Sequence, residues 1–296
     1  MQEGLAAVQK RSVPRAGLSR LHFNRRVGPG WYHMRLEEPA IARASAPGQF
    51  VEIATGALGG FDPLLRRPMS VYDADPKTGT YDILYTVTGR GTHWLSQLPE
   101  SPTAGALSAL DVLGPFGNRF TQPTPIHGQL PHVYLVGGGV GVAPLYFFAR
   151  ELGEQSSPAS ITLCMGARSA AQLQGIDEFR KLPIECCVAT NDGSAGHAGF
   201  VTALLSALLD QRTGARPVQI YGCGPTGMNE ALRSLAVLRG LPCEISLEAR
   251  MACGFGICFA CVVPIRKELG GPFYNRRICW EGTVFDARLL KGAAEA

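Results

Sequence analysis

The pattern of hydrophobic and polar residues changes twice along the chain. Up to about residue 120, short β-rich runs are separated by turn-forming residues, and no long helical period interrupts them. Such a pattern is typical of an antiparallel β-barrel. The predicted strands are residues 31–36, 50–55, 70–72, 81–87 and 110–113.

A proline-rich stretch at residues 121–131 precedes a different pattern. Apolar runs at 133–136, 161–165, 184–189 and 218–221 alternate with helical stretches near 143–152, 171–182, 200–209 and 226–238. This alternation predicts βαβ units with a parallel sheet. Residues 133–149 are uncharged, but they contain four glycines and Pro144 and are short for a membrane span. We interpret them as strand, turn and helix.

The last part of the chain is rich in cysteine and has no clear period. The predicted fold class is therefore α/β plus all-β, and the chain divides into four segments. These are a basic N-terminal extension (1–17), an antiparallel β-barrel domain (18–125), a Rossmann-like α/β domain (130–245) and a small C-terminal module (246–296).

Four cysteines in the C-terminal module have a spacing typical of an iron–sulfur site. Four residues separate Cys253 from Cys258, two separate Cys258 from Cys261, and Cys279 follows after seventeen more. This is the plant-type [2Fe–2S] spacing, in which four thiolates hold two irons. A zinc site is the alternative, although zinc sites usually combine two C-x2-C hairpins and only one occurs here. The other five cysteines are interpreted as small buried hydrophobic residues.

Two glycine-rich turns in the α/β domain suggest a nucleotide site. Gly137, Gly138, Gly139 and Gly141 join a predicted strand to a predicted helix. Glycines at such a turn let a pyrophosphate approach the helix N-terminus, although the spacing departs from G-x-G-x-x-G and a plain tight turn is the alternative. A later strand ends in a second glycine turn, at Cys223-Gly224-Pro225.

Three motifs in the barrel domain are weak signals by themselves. They are Arg66-Arg67-Pro68-Met69-Ser70, Gly89-Arg90-Gly91-Thr92 and Leu113-Gly114-Pro115-Phe116-Gly117-Asn118. An arginine can clamp a pyrophosphate, a serine can hydrogen-bond a flavin ring nitrogen, and a glycine loop can offer N–H groups to a phosphate. A purely structural role for these residues is equally compatible with the motifs.

The order of all these motifs resembles the ferredoxin reductase superfamily. Within it, the chain is most similar to the electron-transfer subunits of NAD-linked (class 1B) dihydroorotate dehydrogenases, over roughly residues 18–290. The motifs Pro47-Gly48-Gln49-Phe50 and Glu248-Ala-Arg-Met-Ala-Cys253 add to the likeness. Met69 stands where related reductases have an aromatic residue, and an aliphatic residue there is the dihydroorotate-type variant. Arg119 departs from the glycine expected after Gly117-Asn118.

The resemblance implies FAD, a [2Fe–2S] cluster and NAD as co-substrate. It places FAD at Arg67, Pro68, Met69, Ser70, Leu84, Tyr85, Thr86, Gly91 and Thr92. It places NAD at Gly137, Gly138, Gly139, Gly141, Cys223 and Gly224, and the cluster at Cys253, Cys258, Cys261 and Cys279. No general acid or base is expected from this chain.

The implied function is electron transfer from dihydroorotate to NAD⁺ in pyrimidine biosynthesis. Dihydroorotate oxidation would need its own flavin barrel of about 250 residues, for which this chain has no room. The resemblance therefore implies a separate FMN-containing catalytic subunit, in a heterotetramer with two copies of each chain. The alternatives are a reductase serving an oxygenase or a ferredoxin, and a zinc-stabilised nucleotide-binding module.

Composition and charge indicate which kinds of partner and which compartment to expect. The net charge is only +4, which is too small to indicate nucleic-acid binding. The first 26 residues hold six basic residues against one acidic residue, so this positive charge belongs to the N-terminal segment. No apolar core of a secretory signal follows these charges. An odd number of cysteines, nine, fits a reducing compartment better than disulfides. We expect a soluble cytoplasmic protein.

Overall fold

The first part of the chain forms a seven-stranded antiparallel sheet in the computed structural model, which describes residues 14–56, 62–102, 108–126, 128–154, 160–214 and 216–292. The sheet order is β4-β3-β7-β1-β2-β6-β5. The strands are β1 (Arg15–Gly28), β2 (Trp31–Glu37), β3 (Phe50–Ile53), β4 (Arg67–Ser70), β5 (Asp73–Asp75), β6 (Thr80–Thr86) and β7 (Ala109–Phe116). Two short helices accompany them, α1 (Pro39–Ala44) and α2 (Arg90–Ser96).

The core of this curled sheet contains both apolar and hydrogen-bonded polar side chains. Met34, Leu36 and Ile83 are fully buried in it. The hydroxyl of Tyr81 donates to Ser19 Oγ at 2.7 Å, and that of Tyr85 donates to Asn24 Oδ1 at 3.0 Å. Buried hydroxyls need such partners, so β1 satisfies groups that β6 brings into the core.

The sequence predicted four of these strands and missed or misplaced three. Strand β1 was not predicted because its fourteen residues are rich in arginine and only a few of them are buried. It begins at Arg15, inside the predicted N-terminal extension, and residues 1–13 lie outside the described part. The predicted strand at 70–72 is wrong in its bounds, because those residues run from the end of β4 into the turn before β5.

The second sheet has seven strands in the order β11-β10-β9-β8-β12-β13-β16. The strands are β8 (His132–Gly138), β9 (Ile161–Ala167), β10 (Glu185–Thr190), β11 (His197–Ala198), β12 (Val218–Cys223), β13 (Cys243–Ser246) and, near the C-terminus, β16 (Val284–Asp286). All pairs are parallel except β13 with β16. From β8 the chain proceeds outward to β9 and β10, then crosses to β12 on the other side. Such a switch point is where open α/β sheets bind ligands.

The helices of this part are α3 (Ala143–Gly153), α4 (Ile176–Phe179), α5 (Val201–Asp210) and α6 (Thr226–Leu238). Three of them match the predicted helices. The predicted helix at 171–182 is wrong, because a 3-10 turn at Ala170–Gln172 is followed by Gly175 with φ +85° before the single turn of α4. A left-handed residue cannot continue an α-helix, so the pattern is interrupted there.

The C-terminal residues form a hairpin and then return to the second sheet. The hairpin consists of β14 (Val262–Arg266) and β15 (Phe273–Arg277), and α7 (Ile278–Glu281) follows it. Strand β16 then pairs with β13, so the C-terminal part adds an edge strand to the α/β sheet. This antiparallel strand was not predicted.

Helix α3 packs against the first sheet through aromatic and charged contacts. The rings of Tyr72, after β4, and Tyr146, on α3, stack with centroids 4.4 Å apart. Arg150 on α3 forms an ion pair with Asp73 on β5 at 2.7 Å. No helix in the described residues is long and apolar enough to cross a membrane, and residues 133–149 form strand β8, a turn and part of α3, as predicted.

Candidate functional site

The four predicted cluster cysteines lie in the segment around the C-terminal hairpin. Cys253, Cys258 and Cys261 are in the loop between β13 and β14, and Cys279 is in the first turn of α7. Cys261 and Cys279 are buried, Cys253 is half-buried and Cys258 is exposed. The N–H of Ile278 donates to the carbonyl of Cys261 at 2.8 Å, which ties α7 to the end of the loop.

The cysteines fall into two pairs rather than one group. The N–H of Cys258 donates to Cys253 Sγ at 3.5 Å, and the N–H of Cys279 donates to Cys261 Sγ at 3.4 Å. In the described part of the chain, no three His, Cys, Asp or Glu side chains lie close enough to share one metal ion. A zinc site gathers its ligands around one ion, whereas a [2Fe–2S] cluster has two irons with two thiolates each. The donor set therefore fits the cluster better than zinc.

The two pairs differ in their electrostatic surroundings. Burial raises the pKa of Cys253, but N–H donors of the same loop outweigh it and bring this pKa down to about 6. Burial raises the pKa of Cys279 to about 12, and the neighbouring Cys261 adds to the rise. The Cys253 thiol therefore ionises readily without any metal, whereas the Cys279 thiol needs a positive charge nearby to ionise.

Glycine is required at two positions of the cysteine loop. Gly254 and Gly256 have φ of +72° and +90°, in the left-handed region that disfavours side chains. A Cβ on Gly254 would lie 2.2 Å from Glu52 Oε1, and one on Gly256 would lie 3.0 Å from the Trp280 side chain. Arg277 closes the loop from outside by donating to the Gly256 carbonyl at 2.8 Å.

A pocket of about 310 Å³ lies where the two sheets and the C-terminal segment meet. Eight predicted flavin residues line it, together with residues of the nucleotide turns and of the segment after β13. The predicted flavin residues in the lining are Arg67, Pro68, Met69, Ser70, Leu84, Tyr85, Thr86 and also Thr92 from α2. Cys223 also lines it, so the pocket brings residues from both predicted cofactor sites together.

Several of these side chains already have partners. The Tyr85 hydroxyl donates into the barrel core, so it is not available to a cofactor. The N–H groups of Thr88 and Gly89 both donate to Thr92 Oγ1, at 2.9 and 3.1 Å, so they do not serve a phosphate. Gly91 is instead a close-approach position, since a Cβ there would lie 2.3 Å from Arg67 Nε. The lack of a side chain at Gly91 therefore leaves the space that the Arg67 guanidinium occupies.

The two glycine turns lie side by side at the switch point of the parallel sheet. Gly137 is in register with Cys223, and a Cβ on Gly141 would lie 2.4 Å from the Cys223 carbonyl. Gly138 and Gly224 both pack on Met228, where a Cβ on either would clash. Of these turns only Val140 and Cys223 reach the pocket, so the glycines allow close packing and do not line it.

Sequence reasoning missed pocket residues whose neighbours are distant in sequence. Glu248 lines the pocket, and burial raises the pKa of its carboxyl by desolvation. The buried thiol of Cys223 lies near Ser246 and Glu248, and its pKa is raised by burial. Phe50, Leu247 and Met251 complete the apolar side. Phe50 and Glu248 each lie in a motif of the family resemblance, but nothing in their local sequence pattern indicates a shared pocket.

Two family models match the chain with this architecture. The oxidoreductase NAD-binding domain matches residues 135–234, which contain the parallel sheet's switch point. The iron–sulfur cluster binding domain of dihydroorotate dehydrogenase B matches residues 248–291, which contain all four paired cysteines. The predicted iron–sulfur and NAD-binding character of these segments is confirmed.

The chain is an oxidoreductase of the ferredoxin reductase-like fold, as the architecture and one solved structure show. The NADH-dependent reduced ferredoxin-NADP oxidoreductase, described for flavin-based electron bifurcation, superposes with a TM-score of 0.76 at 30% identity. The match covers 93% of this chain and 90% of that one. The predicted fold class is confirmed, with a curled half-barrel in place of a closed barrel.

More particularly, the chain belongs to the electron transfer subunits of dihydroorotate dehydrogenase B (NAD(+)). The subunit from Desulforamulus reducens is 37% identical over 259 residues, which cover 88% of this chain and 92% of the relative. The subunit from Geobacillus thermodenitrificans is 36% identical over 264 residues, covering 89% and 93%. The resemblance stated from the motifs is confirmed.

Proposed function

We propose that this chain passes electrons from dihydroorotate, which a separate catalytic subunit oxidises, through a [2Fe–2S] cluster and FAD to NAD⁺. The step belongs to the de novo biosynthesis of pyrimidines (UMP). The observation that carries the proposal is that one pocket brings the flavin-type residues together with Cys223 and with the apolar cluster around the buried cysteines. Membership of the electron transfer subunits supports the substrate and the direction.

The residues of this chain hold and orient the reacting groups. When bound, a flavin exchanges a hydride with a nicotinamide and single electrons with an iron–sulfur cluster, so it can link the two. Arg67–Ser70 and residues 84–86 would hold the flavin along one wall of the pocket. The turns at Gly137–Gly141 and Cys223 would hold the nicotinamide nucleotide, and the four cysteines the cluster.

A catalytic partner is implied by membership of a family of subunits, and we propose that it carries FMN and forms a heterotetramer of two copies of each chain. The cysteine loop offers an apolar surface for it. Phe255, Ile257 and Phe259 surround the exposed Cys258 and are 40%, 72% and 57% exposed. Clustered exposed apolar residues are typical of interaction sites.

The basic residues of this region contribute less charge to docking than their number indicates. Arg276 and Arg277 both pair with Glu281, at 2.7 and 3.1 Å. Arg277 also lies over the Phe259 ring at 4.6 Å, and Lys267 over Tyr274 at 5.0 Å. These cations mainly brace the hairpin and loop, so we propose that the contact with the partner is chiefly apolar.

None of the nine cysteines forms a disulfide, and five of them have no proposed role in a cluster. Such a set is typical of a reducing compartment. We therefore keep the cytoplasm as the proposed location.

Reconstitution with the catalytic subunit tests the proposal most directly. The purified chain is expected to have flavin absorption bands with a broad iron–sulfur shoulder. Adding an FMN-containing dihydroorotate dehydrogenase subunit should give dihydroorotate-dependent reduction of NAD⁺, whereas either chain alone should not. A colourless protein, or one without turnover when both chains are combined, would contradict the proposal.

Removing one cluster ligand separates the two halves of the electron path. Cys258→Ser should abolish dihydroorotate-linked NAD⁺ reduction, because the cluster can no longer be held. NADH-dependent reduction of a dye, which needs only the flavin, should largely persist. Cys187→Ser, a half-buried cysteine on β10, is the matched control and should keep both activities. Unchanged dihydroorotate turnover in Cys258→Ser would disprove the path through the cluster.

A ferredoxin-linked role is the second candidate, since the NADH-dependent ferredoxin-NADP oxidoreductase is 30% identical to this chain. Reduction of a ferredoxin by NADH, without any dihydroorotate-linked activity, would favour this candidate.

A further inference from the structure

One layer of apolar side chains separates the pocket from the buried cysteines. Cys261 and Cys279 lie in an apolar cluster with Phe50, Phe116 and Ile278, all at most 5% exposed. Leu247, Ala249 and Met251 pack on the same cluster. Four of these side chains also line the pocket, and we call them the shared wall: Phe50, Leu247, Ala249 and Met251.

The shared wall faces only one of the two cysteine pairs. Cys261 and Cys279 are in its apolar cluster, whereas Cys258 is exposed beside Ile257. The cysteine site therefore has an inner side toward the pocket and an outer side toward solvent. None of the four wall side chains is titratable.

Phe50 is the member of the shared wall that lies within a strand, between two neighbouring strands. It lies on β3, in register with Ser70 on one neighbouring strand and Phe116 on the other. Its ring packs against the Phe116 ring with centroids 5.7 Å apart, and it is 4% exposed. A side chain fixed in this way between two ladders keeps a constant separation between the groups on its two sides.

We propose that the shared wall is the route by which electrons pass between flavin and cluster, and that Phe50 is its central positioning residue. The inference rests on the proposed function. Each transfer moves one electron from the cluster, which is oxidised, to the flavin, which is reduced. Two transfers, with one proton taken up from the open side of the pocket, supply the hydride that NAD⁺ accepts. The wall excludes water and carries no proton.

Phe50→Leu tests the route, with Phe116→Leu as the matched control. Both residues are buried phenylalanines in the same apolar cluster, but only Phe50 lines the pocket. The holoprotein is mixed with NADH without oxygen. Flavin bleaching is followed by absorbance and cluster reduction by electron paramagnetic resonance of freeze-quenched samples. The rate of cluster reduction is expressed relative to flavin reduction in the same preparation, so effects on hydride transfer cancel.

The ratio of the rate of cluster reduction to the rate of flavin reduction is expected to fall in Phe50→Leu. In Phe116→Leu this ratio should stay near the wild-type value. Equal ratios in the two variants would overturn the route. If Phe50→Leu does not retain both cofactors, Leu247→Ala removes a second wall side chain, and an unchanged ratio there would overturn it equally. Failure of the proposed function looks different, because the wild type combined with the catalytic subunit would then show no dihydroorotate-dependent reduction of NAD⁺, whatever the ratio in the variants.

Discussion

At the scale of single residues, Glu52 is a buried carboxyl lying directly against the cysteine loop. It is 2% exposed on β3, and its Oε1 has no hydrogen-bond partner among the described residues. Its carboxyl occupies the space that a side chain on Gly254 would need. Burial raises its pKa to about 7, although Arg66 nearby opposes the rise. The sequence shows only an acid within a strand, and burial of that acid depends on a loop 200 residues away.

Glu52→Gln is expected to change how stability depends on pH. The raised pKa means that the folded protein holds a proton which the unfolded chain releases above pH 4.5. Stability therefore falls as the pH rises from there to about 7, and the cost above that pH is about 3 kcal/mol. The variant lacks this cost, so its melting temperature should exceed that of the wild type at pH 8 and be similar near pH 5. Glu100→Gln, at an exposed position, should show no such difference; a parallel pH dependence of Glu52→Gln and wild type would contradict the argument.

At the scale of elements, the glycine turns show what sequence patterns can and cannot predict. The pattern predicted correctly that β8 ends in glycines and leads into α3. It could not predict that Gly141 contacts the carbonyl of Cys223, because that contact depends on β12 lying beside β8. Strand β1 escaped prediction for a related reason, since its few buried positions become visible only when β2 and β7 pair with it.

Gly141→Ala should weaken nucleotide binding by separating the two strand ends. The new Cβ would lie 2.4 Å from the Cys223 carbonyl, so one turn must shift. Overpacking of this kind costs about 1–3 kcal/mol of stability. We expect a higher KM for NADH in dye reduction, with flavin content unchanged. Gly227→Ala, in the first turn of α6 with open space around it, is the control and should be neutral or slightly stabilising. An unchanged KM in Gly141→Ala would show that the turn does not position the nucleotide.

At the scale of the whole molecule, the order of motifs predicted the architecture better than any single motif predicted a contact. The barrel, the parallel sheet and the cysteine module follow each other as expected. Their meeting at one pocket was not predictable, because Phe50, Cys223 and Glu248 come from three distant parts of the chain. The Tyr72–Tyr146 stack and the Arg150–Asp73 pair between the sheets are long-range contacts of the same kind.

The molecule presents its cysteine loop outward, and this orientation leads to a prediction about assembly. Ile257 beside Cys258 is 72% exposed, and burying such a side chain contributes about 1.5–3 kcal/mol to association. A charge there would also lose its hydration in an apolar contact. Ile257→Asp should therefore weaken binding of the catalytic subunit about tenfold or more, measured by calorimetry or analytical ultracentrifugation. Leu238→Asp, 85% exposed at the end of α6, is the matched control and should bind as the wild type does. If the two variants bound equally well, the partner would have to dock on another face, and electrons would need a route to the cluster that avoids the exposed side of this loop.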